Sequence, residues 1–183
     1  MAFNIKKQQF WDHQYSTGQW DVLKSPLEYQ RFEAVRTVIY NLESKKPKVL
    51  EIGCGEGLLQ QKLEKSSYGL FLGIDISTVA IEKASKLTSL NVTYAVEDME
   101  AYNPPTDFDL IIFNESIYYS PTPIQLFERY AKFLRKGGMM VLSIYKTTAN
   151  DILLNEINKS FQLMIQTDTT NERGTWYCCC YTF

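Results

Sequence analysis

Histidine occurs once in this sequence, at His13, and no C-x-x-C pair has partner ligands at zinc spacing, so no metal site is expected. Cysteine is scarce and unsuited to a disulfide framework. Cys54 stands alone, and Cys178, Cys179 and Cys180 are consecutive. Adjacent residues on a strand point to opposite faces, so neighbouring thiols pair only with strain. They read as small apolar strand filling in a reduced, cytoplasmic protein. No stretch approaches the roughly 20 apolar residues of a membrane span, and Met1-Ala-Phe-Asn-Ile-Lys6 lacks the apolar centre of a signal peptide. Basic excess is missing too. Nineteen Lys and Arg against 21 Asp and Glu give a net charge of −2, which argues against nucleic acid as a partner. The small cluster Lys45, Lys46 and Lys48 is expected to be a solvated loop. Neither repeats nor low-complexity linkers occur, and 183 residues suit one domain with a sizeable core. A monomer or homodimer is expected.

What the chain does have is a glycine turn, Glu51-Ile-Gly-Cys-Gly-Glu-Gly57, between the apolar run Val49, Leu50, Ile52 and the spacing Leu58, Leu59, Leu63. The pattern predicts a buried parallel strand, a turn and then a helix. Bare backbone in such a turn lets a ligand approach closely. The glycines run G-x-G-x-G, whereas a dinucleotide fingerprint needs its third glycine where Leu58 stands, so nicotinamide binding is not expected.

Glu51 to Gly57 resembles motif I of class I S-adenosylmethionine-dependent methyltransferases, and the likeness extends over roughly residues 48–145. It implies a Rossmann-like α/β fold: a mostly parallel seven-stranded sheet, helices on both faces and a C-terminal antiparallel hairpin. Residues 1–46 would form an N-terminal cap and lid helix, and residues 47–183 the core. The resemblance makes Glu51, Gly53, Cys54, Gly55 and Gly57 the first cofactor-binding group. Leu70 to Asp75 reads as the second strand, ending in an acid 18 residues beyond Gly57. A carboxylate there accepts from both ribose hydroxyls, with Ile76 beside it. Val92 to Asp98 resembles the third strand, with Asp98 and Met99 at the family's adenine position.

Asn103-Pro-Pro-Thr106 imitates the Asn-Pro-Pro-aromatic motif of amino-methylating enzymes, but it precedes the fourth strand, Phe108–Phe113, and reads as a loop spacer. Chemistry is expected after that strand, in Asn114-Glu-Ser-Ile-Tyr118-Tyr119, with Asn114 near the cofactor. Glu115 is the candidate to orient or deprotonate an amine, and Tyr118 to shape the acceptor site. His13 is a further candidate base. Thr122-Pro123 predicts the start of a helix carrying Phe127, Tyr130 and Leu134 and closed by Gly137 and Gly138. Met139–Tyr145 predicts the fifth strand. A last helix carries Ile152, Leu153 and Ile157, before strands over 161–167 and 175–183.

Ahead of the first strand, residues 3–24 predict an irregular or short-helical aromatic cap. Ser25-Pro-Leu-Glu28 predicts a capping box opening a helix with Phe32, Val35, Ile39 and Leu42 on one face. That helix resembles the lid of small methyltransferases. Tyr15 and Trp20 are placed to face a sulfonium, and Arg31 the cofactor carboxylate. Trp11 to Phe32, together with Asn114 to Tyr119, resembles nodulation-type small-molecule N-methyltransferases. The expected function is methyl transfer to a small amine or hydroxyl. The alternatives are a cofactor-binding module without catalysis and a methyltransferase for protein side chains.

Overall fold

The computed structural model describes residues 4–42 and 46–182. Lys45 of the expected basic loop and Phe183 of the last expected strand lie outside them. Seven strands form one sheet in the order β3-β2-β1-β4-β5-β7-β6. These are β1 (Lys48–Ile52), β2 (Leu70–Asp75), β3 (Val92–Val96), β4 (Phe108–Asn114), β5 (Leu134–Tyr145), β6 (Gln162–Asn171) and β7 (Gly174–Thr182). Only β7 runs against its neighbours, pairing antiparallel with both β5 and β6. The expected Rossmann-like sheet and closing hairpin are therefore present.

Alternation divides the strand residues between two cores. Leu50, Ile52, Ile111, Phe113, Met140 and Leu142 face one way, against Phe127 and Tyr130 of α4 (Pro123–Ala131) and Leu153 and Ile157 of α5 (Thr148–Ser160). Val49, Leu110, Ile112, Val141, Cys178 and Cys180 face the other, against Phe32, Val35 and Ile39 of α2 (Tyr29–Tyr40). Helices thus cover both faces. Each fully buried apolar side chain in these layers contributes about 1.5–3 kcal/mol. All four thiols are free and buried. Burial pushes those of Cys178 and Cys179 up to about 12, which keeps them protonated, as strand filling requires.

Several elements differ from the sequence expectation. No α-helix follows the glycine turn: Gln60–Lys62 is a single 3-10 turn, ended when Leu63 becomes extended. The link to β2 is only 17 residues long, and Leu59 and Leu63 bury themselves without a longer helix. The N-terminal cap contains a full α-helix, α1 (Ile5–Ser16), whose Asn4 side chain accepts from the Lys7 N–H at 3.1 Å. It has no buried residue, so no apolar period announced it. The helix expected as a lid, α2, is instead a core layer, and α1 covers the site. Ser25 caps a 3-10 turn (Pro26–Glu28) that leads into α2, but Glu28 does not complete a capping box, because its carboxylate binds two arginines. β5 starts at Leu134, five residues early, and takes in Gly137 and Gly138, with an irregular register against β4.

α1 is tied down by polar contacts. Asp12 accepts from the Ser77 hydroxyl at 2.7 Å and the Val79 N–H at 3.1 Å, capping α3 (Thr78–Ala84) from outside. Gln8 donates to Thr78 at 2.8 Å, and Lys83 donates to the Tyr15 carbonyl at 3.2 Å. Asp12→Ala removes the acceptor of two of these bonds. It is expected to destabilise the protein by about 0.5–2 kcal/mol, as for other lost caps, read as a shift in the urea midpoint. No change would mean that the bonds of Gln8 and Lys83, with the aromatic side chains, hold α1 without Asp12.

Candidate functional site

Strand order reverses between β1 and β4, and their carboxyl ends open into a cavity of about 640 Å³. That is where open α/β sheets bind ligands. Gly53 and Gly55 form part of its floor, both with left-handed φ (73° and 53°). A side chain at Gly53 would lie 2.5 Å from Ser116 Cβ, so the missing Cβ lets the β4 loop close on the turn. Ser116 then donates to the Ile52 carbonyl at 2.5 Å. At Gly55 a Cβ would lie 2.6 Å from the Tyr15 hydroxyl, which places that ring of α1 over the turn.

Two acids stand at the next strand ends. Asp75 accepts from the Gly55 N–H at 2.9 Å and the Ser77 N–H at 2.8 Å, and it lines the cavity with Ile76. Burial raises its pKa, and the two N–H donors oppose that shift. Asp98, also buried, accepts from the Glu100 N–H at 3.0 Å, with the Lys7 ammonium 3.8 Å away. Met99 lines the same wall. Its carbonyl is held by Arg129 and by the Tyr130 hydroxyl at 3.1 Å.

A polar chain lines the cavity, buried at Glu28, Arg31 and Glu51. Arg173, in the β6–β7 turn, pairs with Glu28. The other Glu28 oxygen meets Arg31 Nε at 2.8 Å, and Arg31 Nη1 donates to Asn114 at 2.6 Å. Asn114 in turn donates to Glu51 Oε1 at 3.3 Å, while Glu51 Oε2 is buried with no hydrogen-bond partner. Burial pushes Glu51 up to about 8, against the pull of Asn114 and Arg31.

Glu115 follows β4 in a left-handed conformation (φ 58°), held by its N–H to the Ser143 carbonyl at 2.9 Å. This backbone costs a non-glycine residue about 1–2 kcal/mol, a kind of strain that gathers at functional sites. Its Oε2 accepts from the Tyr118 hydroxyl at 3.0 Å and Trp176 Nε1 at 3.2 Å, while Oε1 is buried without a partner. Burial raises Glu115 to about 7, with Arg31 the strongest opposing influence.

Of the residues singled out in the sequence, Glu51, Gly53, Cys54, Gly55, Asp75, Ile76, Asp98, Met99, Asn114, Glu115, Tyr118, Tyr15, Trp20 and Arg31 all line this cavity. Two do not. Gly57 faces Tyr94, whose hydroxyl would lie 2.7 Å from a Cβ there, so that glycine serves turn packing. His13 is exposed on the far side of α1, away from the cavity, which corrects its reading as a base. Glu28, Arg173 and Trp176 were missed. Glu28 had the signal of a cap, and the two hairpin residues reach the site only by long-range packing.

A family model described as a methyltransferase domain matches residues 27–179. Malonyl-(acyl-carrier protein) O-methyltransferase 1 of Ilyobacter polytropus is 32% identical over 122 residues, which cover 64% of this chain and 46% of that protein. Ubiquinone biosynthesis O-methyltransferase of Coxiella burnetii is 30% identical over 99 residues, covering 52% of this chain and 42% of its own length. The chain therefore spans less than half the length of these two relatives. Among solved structures, the N-methyltransferase NodS from Bradyrhizobium japonicum WM9, in complex with S-adenosylhomocysteine, superposes with a TM-score of 0.74 at 20% identity, covering 88% of this chain and 90% of that one. With the glycine turn, the strand order and the family match in agreement, the chain belongs to the methyltransferase-domain family, within the class I S-adenosylmethionine-dependent methyltransferases.

Proposed function

We propose that this chain transfers a methyl group from S-adenosylmethionine to a small-molecule amine or hydroxyl. The observation that carries the reading is the orphaned Glu51 Oε2, buried at the floor of a cavity whose other walls end in Asp75 and Asp98. A buried carboxylate oxygen with no donor is costly, and a cationic group of a ligand relieves it. S-adenosylmethionine carries such a group in its amino-acid ammonium, so the residues fit the cofactor. Glu51 would hold the ammonium, Asp75 the ribose hydroxyls, and Asp98 with Met99 the adenine. When bound, the cofactor supplies a methyl on a positively charged sulfur. Tyr15 of α1 and Trp20 of the turn that follows it, whose ring centroids are 6.3 Å apart, would cover it.

For the transfer itself, this chain's contribution is orientation in a dry pocket. Holding a nucleophile in line removes about 7–11 kcal/mol of barrier. The same walls leave room beside Glu115, Tyr118 and Trp176 for a small acceptor. Among the described residues, no helix is long and apolar enough to cross a membrane.

Calorimetry with S-adenosylhomocysteine, followed by release of that product from S-adenosylmethionine over a panel of amines, phenols and carboxylic acids, tests the proposal. Micromolar binding and acceptor-dependent release are expected. Binding without release over every acceptor class would favour a non-catalytic cofactor module, and no binding at all would sink the reading.

A further inference from the structure

Resting on that reading, we infer that the acceptor is a basic amine that enters as its ammonium ion, docks on Glu115 Oε1 within a ring-walled box, and gives its proton to that oxygen. The box has two walls. Tyr118 and Tyr119 adjoin with centroids 4.6 Å apart and planes tilted by 52°, and Trp11 meets Tyr119 edge-on at 4.8 Å. Trp176 and Tyr145 pair opposite at 5.1 Å. All five rings line the cavity, and Glu115 joins the walls because its Oε2 accepts from Tyr118 on one side and Trp176 on the other. Those two donors fix the carboxylate, which leaves Oε1 as its free acceptor, buried and unpartnered. Ring faces and a fixed carboxylate together recognise an organic cation.

An anionic acceptor finds no equivalent. The cations lining the cavity, among the described residues, are Lys7, Arg31 and Arg173, and each stands against a carboxylate: Asp98 for Lys7, and Glu28 for both arginines. A carboxylate acceptor would meet Glu115 in a lining where these three cations face seven carboxyl groups, Glu28, Glu51, Glu56, Asp75, Glu97, Asp98 and Glu115 itself. A neutral hydroxyl would bond to Oε1 but gain little from the rings. In the proton step the N–H bond breaks and an O–H bond forms on Glu115, leaving the nitrogen lone pair free for the methyl. The groups facing Glu115 set its readiness for this step. Arg31 and the donors Tyr118 and Trp176 favour the carboxylate, Glu28 and burial oppose it, and the balance lies at about 7. Trp176 is a positioning residue: it acts on the acceptor through Glu115.

The test uses three probes of one size, benzylammonium, p-cresol and benzoate, titrated into protein saturated with S-adenosylhomocysteine. Benzylammonium is expected to bind at least about tenfold more tightly than either of the others. The preference should rise with pH through about 7 and collapse in Glu115→Gln, with S-adenosylhomocysteine affinity retained. Trp176→Phe keeps a ring but removes a donor, so the pH midpoint should move up, a shift that mere space-filling would not produce. Equal or tighter binding of p-cresol or benzoate, an undiminished preference in Glu115→Gln, or no binding of benzylammonium overturns the inference. Failure of the wild-type protein to bind S-adenosylhomocysteine would instead remove the methyltransferase reading, and this inference with it.

Discussion

Glu51→Gln is expected to stabilise the ligand-free protein at pH 8 by roughly 2–4 kcal/mol while weakening S-adenosylmethionine binding by about 10–100-fold. An unfolded glutamate releases its proton near 4.5, whereas folded Glu51 keeps it to about 8. Between those values the native state binds more protons than the unfolded state, so stability falls as pH rises through that window. Glu115, raised to about 7, adds a second contribution of the same sign. Glutamine retains the acceptor for Asn114 and has no charge to desolvate. It also has none to offer an ammonium. Thermal melts at pH 5 and pH 8 with and without S-adenosylhomocysteine check both halves. Wild-type stability that rises from pH 5 to pH 8 without ligand would contradict the buried-charge account, and unchanged affinity would release Glu51 from the cofactor.

Arg31→Met should be the most destabilising single change near the site, by about 3–5 kcal/mol. Arg31 is 3% exposed and touches Glu28 and Asn114, and its guanidinium lies over the Phe32 ring at 4.3 Å. Methionine fills much of the volume but leaves one Glu28 oxygen without its ion-pair partner, with Arg173 alone on the other. The same change removes the positive charge that holds down Glu51 and Glu115, so both should protonate at still higher pH. Urea unfolding reads the first effect. A midpoint shift worth less than 1 kcal/mol would mean that Arg173 and Asn114 sustain the buried chain without it.

The centre of the sheet was legible because β1, β2 and β4 are short, mostly apolar and buried on both faces, a pattern that needs no knowledge of partners. Gly53, Gly55, Asp75 and Asp98 were legible for a related reason: each lies at the end of such a strand, where chain position alone sets the geometry. What escaped depends on contacts distant in sequence. Glu28 and Arg173 are 145 residues apart, and nothing local joins them. Trp176 looks like any aromatic strand residue until β7 inserts beside β5. The helix α1 escaped for a different reason, since it docks through Asp12, Gln8 and a lysine on another helix rather than through an apolar stripe. His13 drew attention by its residue type alone, and its exposed place on α1 shows how little type says without direction.

The placement of β7 has a consequence for synthesis. β6 leaves the ribosome before β7, yet β7 occupies the slot between β5 and β6. Until it emerges, the nascent chain holds an open seam along β5, and β6 has nowhere to anneal. Arg173 and Trp176 arrive with the same segment, so part of the cavity wall is supplied by the strand that completes the sheet and the turn before it. Binding of an acceptor beside Trp176 would therefore report that the seam has closed, and a stalled chain ending before residue 174 should stay exposed to chaperones and proteases.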